Sequence, residues 1–203
     1  MTKEKIKRKK EEKMANSKLI IVEGPQGAGK TTVTDFLRYK IPYTNLYRLN
    51  GTGDSSENGK EKAKVMYTDL VDYIEKLQNK NINLVFDRTF FTEEVYCRLG
   101  FKDYSFTDVY EDLLNRIDKM DFETYFINLH LSDENEFEKR LSREGKVEIK
   151  YAKFSKESSI NQQNAYLEVA KEIKEKCSNI KVVELDTCIG IDNVKEKIME
   201  ILK

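Results

Sequence analysis

Apolar residues follow two alternating rhythms along this chain, and the alternation predicts its architecture. Short unbroken apolar runs read as strands buried on both faces: "KLIIVE" at 18–23, "NINLVFD" at 81–87, "TYFINLHL" at 124–131 and "IKVVELD" at 180–186. "NLYRL" at 45–49 is a further strand. Between the runs the period changes. Val33, Phe36 and Leu37 give the i, i+3, i+4 stripe of a helix after the first strand. A helix is expected over 61–78, with Val65, Leu70, Ile74 and Leu77 turned inward. Others are expected over 92–98, 107–119, 134–143, 156–177 and 192–202, and Tyr166, Val169, Ala170 and Ile173 read as core positions. "GTGDSSENGK" at 51–60 is the longest loop signal. Strand–helix alternation predicts an α/β protein with a five-stranded parallel sheet between two helical layers. Ligands of such sheets bind beyond the carboxyl ends of the strands.

Composition narrows the class without naming a chemistry. The 203 residues suit one domain, and no repeat, low-complexity stretch or linker divides residues 17–203. Charged residues are 35 % and formal net charge is zero, so whole-chain charge argues for neither nucleic acid nor membrane. No run approaches the ~18 apolar residues of a membrane span. The run "KEKIKRKKEEK" at 3–13 lacks a following apolar region, so residues 1–16 are expected to be a flexible basic tail rather than a secretory signal. Met14 opens the folded pattern and is a second candidate start, with an expression leader before it. Cys97, Cys177 and Cys188 have no metal-type spacing, and such an odd, scattered set fits a reduced cytoplasmic protein. The single histidine, His130, sits in a strand-like run and reads as structural.

The informative residues follow the strands. After the first strand, "EGPQGAGKTT" places Gly24, Gly29, Lys30 and Thr31 in the pattern G-x-x-x-x-G-K-[ST], with a strand before and a helix after. Glycines let successive N–H groups point inward at phosphate oxygens, and the helix start adds a positive dipole end. Gly24, Pro25, Gln26, Gly27, Ala28, Gly29, Lys30, Thr31 and Thr32 are therefore expected to hold ATP. Lys30 would reach the outer phosphates and the Thr31 hydroxyl would ligate Mg²⁺. The fold expected is thus the three-layer P-loop NTPase fold. A GTPase base-reading motif is absent, because "NKNIN" at 79–83 lacks its Asp.

The third strand delivers Asp87 and Arg88, in "VFDRTFFTEEVYCRLG" at 85–100, to the same edge. Asp87 can hold Mg²⁺ or accept a proton. Arg88 can fork onto an acceptor phosphate or the travelling phosphoryl. The aromatics Phe90, Phe91, Tyr96, Phe101 and Tyr104 offer flat walls for a base, or ordinary core. "FEKRLSREGK" at 137–146 puts Arg140 and Arg143 on one helical face, with Lys146 just beyond Gly145. Arginines closing over the phosphates would stabilise the charge that develops in transfer.

These stretches resemble the thymidylate kinase and deoxynucleoside kinase group. Glu23, Gly24 and "GAGKTT" match its cradle, Asp87-Arg88 its Asp-Arg pair, Thr92 its serine and Val95-Tyr96 its Ala-Tyr. The resemblance implies a short helical lid at about 137–156, with Arg140 and Arg143 closing it, and acceptor-site roles for Arg48, Thr52, Arg88, Phe91, Thr92 and Tyr96. It implies catalytic roles for Lys30, Asp87, Arg88, Arg140 and Arg143, with Mg²⁺ on Thr31 and Asp87. It also implies homodimerisation through helices. Gln26, Thr89 and Cys97 stand where the thymidylate kinase pattern has an acidic residue, an aromatic and a Gln. The expected activity is ATP-dependent phosphoryl transfer to a nucleoside monophosphate, foremost a pyrimidine deoxynucleotide such as dTMP. The alternatives are a deoxynucleoside kinase using Glu23 or Asp87 as base, a small-metabolite kinase, and a nucleotide-binding regulatory protein.

Overall fold

In the computed structural model, which describes residues 17–142 and 155–203, the alternation becomes a parallel sheet between two helical layers. The elements run β1 (Lys18–Glu23), α1 (Lys30–Lys40), β2 (Thr44–Arg48), α2 (Asn58–Lys76), β3 (Asn83–Asp87) and α3 (Phe90–Arg98). Then follow α4 (Thr107–Asp118), β4 (Glu123–His130), α5 (Asn135–Leu141), α6 (Lys156–Lys176), β5 (Ile180–Asp186), a 3-10 turn (Thr187–Ile189) and α7 (Ile191–Ile201). The sheet order is β2-β3-β1-β4-β5, with every neighbour parallel. β1 is therefore central, and Val22 stands beside Asp87 on one side and Ile127 on the other.

The strands divide their side chains between two cores, which is why their sequences read as apolar throughout. Leu19, Ile21, Phe86 and Phe126 face α2, α3, α4 and α6 in one core. Ile20, Val22, Val85 and Ile127 face α1, α5 and α7 in the other. The basic stretch 1–16 and most of the expected lid, including Arg143 and Lys146, lie outside the described residues. Among the described residues no helix is long and apolar enough to cross a membrane.

Two local expectations shift. α2 buries Ala63, Tyr67, Val71 and Ile74, while Val65 is 52 % exposed. Leu70 and Leu77 are only partly buried. Two apolar stripes satisfied the helical period, and the one carrying the large Tyr67 ring, edge-on to Phe90 and Phe106, is the one that packs. α3 begins at Phe90 rather than at 92, because Thr89 adopts the extended backbone of a helix-capping position.

The turn leaving β1 depends on glycine. Gly24 has φ 138°, and a Cβ there would lie 2.3 Å from the carbonyl oxygen of Leu129 in β4. Gly29 has φ 94° and stands directly before α1, whose first turn carries no side-chain cap and no acidic residue. Gly24→Ala combines a left-handed strain with a backbone clash, an expected cost of about 3 kcal/mol, or roughly 10 °C in Tm. Thermal unfolding of the variant measures it.

Candidate active site

The carboxyl ends of β1 and β3 meet at a shared recess. A cavity of about 140 Å³ is lined by Gly27, Gly29, Lys30, Thr31, Thr32, Arg88 and Arg140. A second, of about 410 Å³, shares Gly27, Gly29, Thr32 and Arg140 with it and continues along Val33, Thr187, Cys188 and Ile191. A small polar recess thus adjoins a larger, more apolar one across the cradle.

Within the cradle, the Lys30 ammonium is buried and donates to the carbonyls of Gly24 and Pro25, both at 2.7 Å. The Thr31 hydroxyl donates to Asp87 Oδ2 at 2.9 Å. Asp87 has no exposed surface, and its Oδ1 has no hydrogen-bond partner. Arg88 approaches Oδ1 at 3.5 Å, and Arg48 approaches Oδ2 at 3.6 Å. Arg48 also pairs with Asp35 of α1. A buried carboxylate with one oxygen lacking a hydrogen bond, beside a hydroxyl, is a donor set that fits Mg²⁺, which prefers hard oxygens and keeps several waters. Among the described residues no group of three or more His, Cys, Asp or Glu could enclose a metal by itself.

Arg88 has φ 72°, left-handed for a residue with a Cβ. Such a conformation costs on the order of 1–3 kcal/mol and persists where its surroundings over-determine it. Arg140 stands on α5 and donates to Gly27 O at 3.3 Å, Thr187 Oγ1 at 2.8 Å and Thr187 O at 2.9 Å. That anchors it between the two recesses.

Other residues expected at the site turn elsewhere. Phe91 has no exposed surface and packs on Phe90, Tyr110 and Phe126 in the core. It is not a cleft wall, because its place on α3 faces the sheet. Tyr96 is buried edge-on to Phe101 but stays within electrostatic reach of Arg88. The Thr92 hydroxyl bonds Glu23 Oε2 at 2.7 Å and Tyr166 Oη at 2.8 Å. Ala28 joins the core under α1 and also lines the larger recess. Gln26 donates its N–H to Gln162 at 3.2 Å, while both polar atoms of its own amide are buried without partners. Thr52 accepts from the Asp54 N–H at 3.3 Å and so stiffens the loop after β2.

Sequence reasoning missed the network around Glu23. Oε1 accepts the Thr89 N–H at 2.7 Å and the Thr89 hydroxyl at 3.2 Å. Burial pushes this carboxyl up from its ordinary 4.5 to about 7, against the opposing pull of Thr92, Thr89, Lys30 and Arg88. A charged residue closing an apolar strand was the available signal. Tyr166 gave none, since its helical spacing is that of the core residues around it. Thr187, which carries two of the Arg140 contacts, lies in a turn without a motif.

The sheet order, the cradle and the Asp-Arg pair define a P-loop α/β protein with a nucleotide-phosphate site. The comparisons agree. The chain is 32 % identical over 133 residues to a thymidylate kinase of Campylobacter lari, a match covering 66 % of this chain and 64 % of that protein. It thus spans less than two thirds of the length of that relative. In structure it is similar to a thymidylate kinase from Candida albicans, with TM-score 0.65, 16 % identity and 92 % and 91 % of the two chains covered. It is also similar to the YorR protein of Bacillus subtilis, solved with phosphorylated GDP, with TM-score 0.64, 22 % identity and 91 % and 95 % covered. A deoxyadenosine kinase from M. mycoides with bound dCTP follows, with TM-score 0.57, 20 % identity and 91 % and 98 % covered. No family model matches the chain. The chain resembles the thymidylate kinase and deoxynucleoside kinase group of P-loop proteins.

A pH dependence follows from Glu23. Its folded-state pKa is raised, so its neutral form favours folding below about 4.5, and that contribution is lost as pH rises towards and through about 7. Glu23→Gln should remove this loss, which is on the order of 3 kcal/mol. Chemical denaturation of both proteins between these pH limits tests it.

Proposed function

We propose that the protein transfers the γ-phosphoryl group of ATP to a nucleoside monophosphate, with a pyrimidine deoxynucleotide such as dTMP as the foremost acceptor. The observation that carries this reading is the convergence of Lys30, Arg88 and Arg140 on one recess beside the Thr31–Asp87 pair. The smaller cavity suits the phosphates. The larger one, toward Cys188 and Ile191, suits the donor base.

Phosphoryl transfer requires positioning and charge stabilisation more than covalent help from the protein. The bond from the γ-phosphorus to the β-phosphate oxygen breaks and leaves ADP. A new bond forms to a phosphate oxygen of the acceptor. That oxygen is already ionised, so no base is needed. The cradle amides and Lys30 hold the donor. Arg88 fixes the acceptor phosphate in line with the γ-phosphorus, and Arg48, joined to Asp87, supports it. Arg140 steadies the donor from Gly27. Thr31 and Asp87 would hold Mg²⁺, which would supply charge neutralisation at the phosphates. The residues 17–203 act as one kinase domain. A nucleoside acceptor would need a carboxylate to take its hydroxyl proton; Glu23 is already committed to Thr89 and Thr92, and Asp87 to Thr31, Arg48 and Arg88.

The test is ADP release with Mg-ATP against nucleosides and nucleoside monophosphates. Stimulation by dTMP above other monophosphates is expected, and stimulation by nucleosides alone would overturn the reading. Lys30→Ala should weaken ATP binding roughly 10- to 100-fold, the loss of a charge-assisted contact. Arg88→Ala should leave ATP affinity intact and cut turnover by roughly 1000-fold, as measured by titration and single-turnover assay.

A further inference from the structure

We propose that Glu23 is the positioning residue that sets Arg88 at the acceptor phosphate. This rests on the kinase reading above and adds a residue to it. Two peptide planes flank the Arg88 Cα, and their orientations define its φ and ψ. Each is tied to the end of β1. The Arg88 N–H donates to Val22 O at 3.2 Å, and the next N–H, that of Thr89, donates to Glu23 Oε1 at 2.7 Å. The first bond belongs to the strand edge, and the second exists only because of a side chain. Residue 88 is thereby held at φ 72°, outside the extended path that would carry β3 straight on.

The same carboxyl fixes the start of α3. Thr89 occupies the capping position of that helix; its hydroxyl makes no capping bond and donates to Glu23. One turn on, Thr92 donates to the other oxygen, and Tyr166 of α6 closes the array. Both Glu23 oxygens are therefore spent on α3 and the residue preceding it. Lys30 of α1, Arg88 and Tyr166 are the charged and titratable groups that face it. None of the Glu23 hydrogen bonds reaches the donor cradle, and Lys30, the cradle group that faces the carboxyl, is held by the Gly24 and Pro25 carbonyls instead.

The test compares Glu23→Ala, Glu23→Leu and Glu23→Gln with the wild type. Leu keeps the buried volume without an acceptor atom, in case Ala does not fold, and Gln keeps one acceptor oxygen. The Ala or Leu variant is expected to lose about 100-fold in kcat/KM for the acceptor, the scale of a misplacement near 1 Å, with a much smaller change in the KM for ATP. Gln is expected to recover most of that loss. A crystal structure of the Leu variant should show Arg88 released from positive φ. Wild-type acceptor kinetics in Leu, Gln as impaired as Leu, a parallel rise in the KM for ATP, or Arg88 still near φ 72° would each overturn the inference. A wild type silent with every acceptor would instead remove the kinase reading, and the Arg88 conformation in the Leu variant would still decide this one.

Discussion

Two carboxylates with no exposed surface end the central strands, Glu23 on β1 and Asp87 on β3, and the rest of the site is arranged around satisfying them. An isolated buried carboxylate costs several kcal/mol of lost hydration. At an effective dielectric of ~20, a unit charge 3.5 Å away returns a gross attraction of roughly 5 kcal/mol, so the presence of cations decides whether such groups are tolerated. Asp87 meets this with Arg48, Arg88 and the Thr31 hydroxyl. Glu23 meets it with three hydrogen bonds and a shift toward the neutral acid.

The strand order explains why these groups converge. With β1 between β3 and β4, the loop leaving β1 passes over the backbone of Leu129 on one side and faces Asp87 on the other. A side chain at residue 24 would lift the loop away from β4. The closeness that excludes a Cβ is the closeness that lets Thr31 reach Asp87. From the far side, α5 and the turn after β5 bring Arg140 and Thr187 to the cradle. In the proposed reading, donor and acceptor contacts come from different strands, with Arg88 where they meet.

Much of this was legible along the chain. Lys30, Thr31 and Asp87 follow strand ends, and the two apolar rhythms located those ends. Arg88 was legible as a residue but not as a conformation. The aromatic cluster after Asp87 left Phe91 open as a base wall or as core, and helix rotation turns it into the core. Val65 and Tyr67 show the same ambiguity. A stripe at helical spacing says that a face is buried and leaves open which of two overlapping stripes it is.

The sequence by itself determined what is local: the glycines that permit the cradle's backbone, the lysine and threonine at the helix start, and the alternation that makes the sheet parallel. These depend on spacing within a few residues. The tertiary structure decided what joins distant segments: Thr31 to Asp87, Arg140 to Thr187, and Glu23 to Thr89, Thr92 and, through Thr92, Tyr166. Hydrogen bonds across 47 to 74 residues leave no periodic trace, because only packing sets which polar atoms meet in a space closed to water.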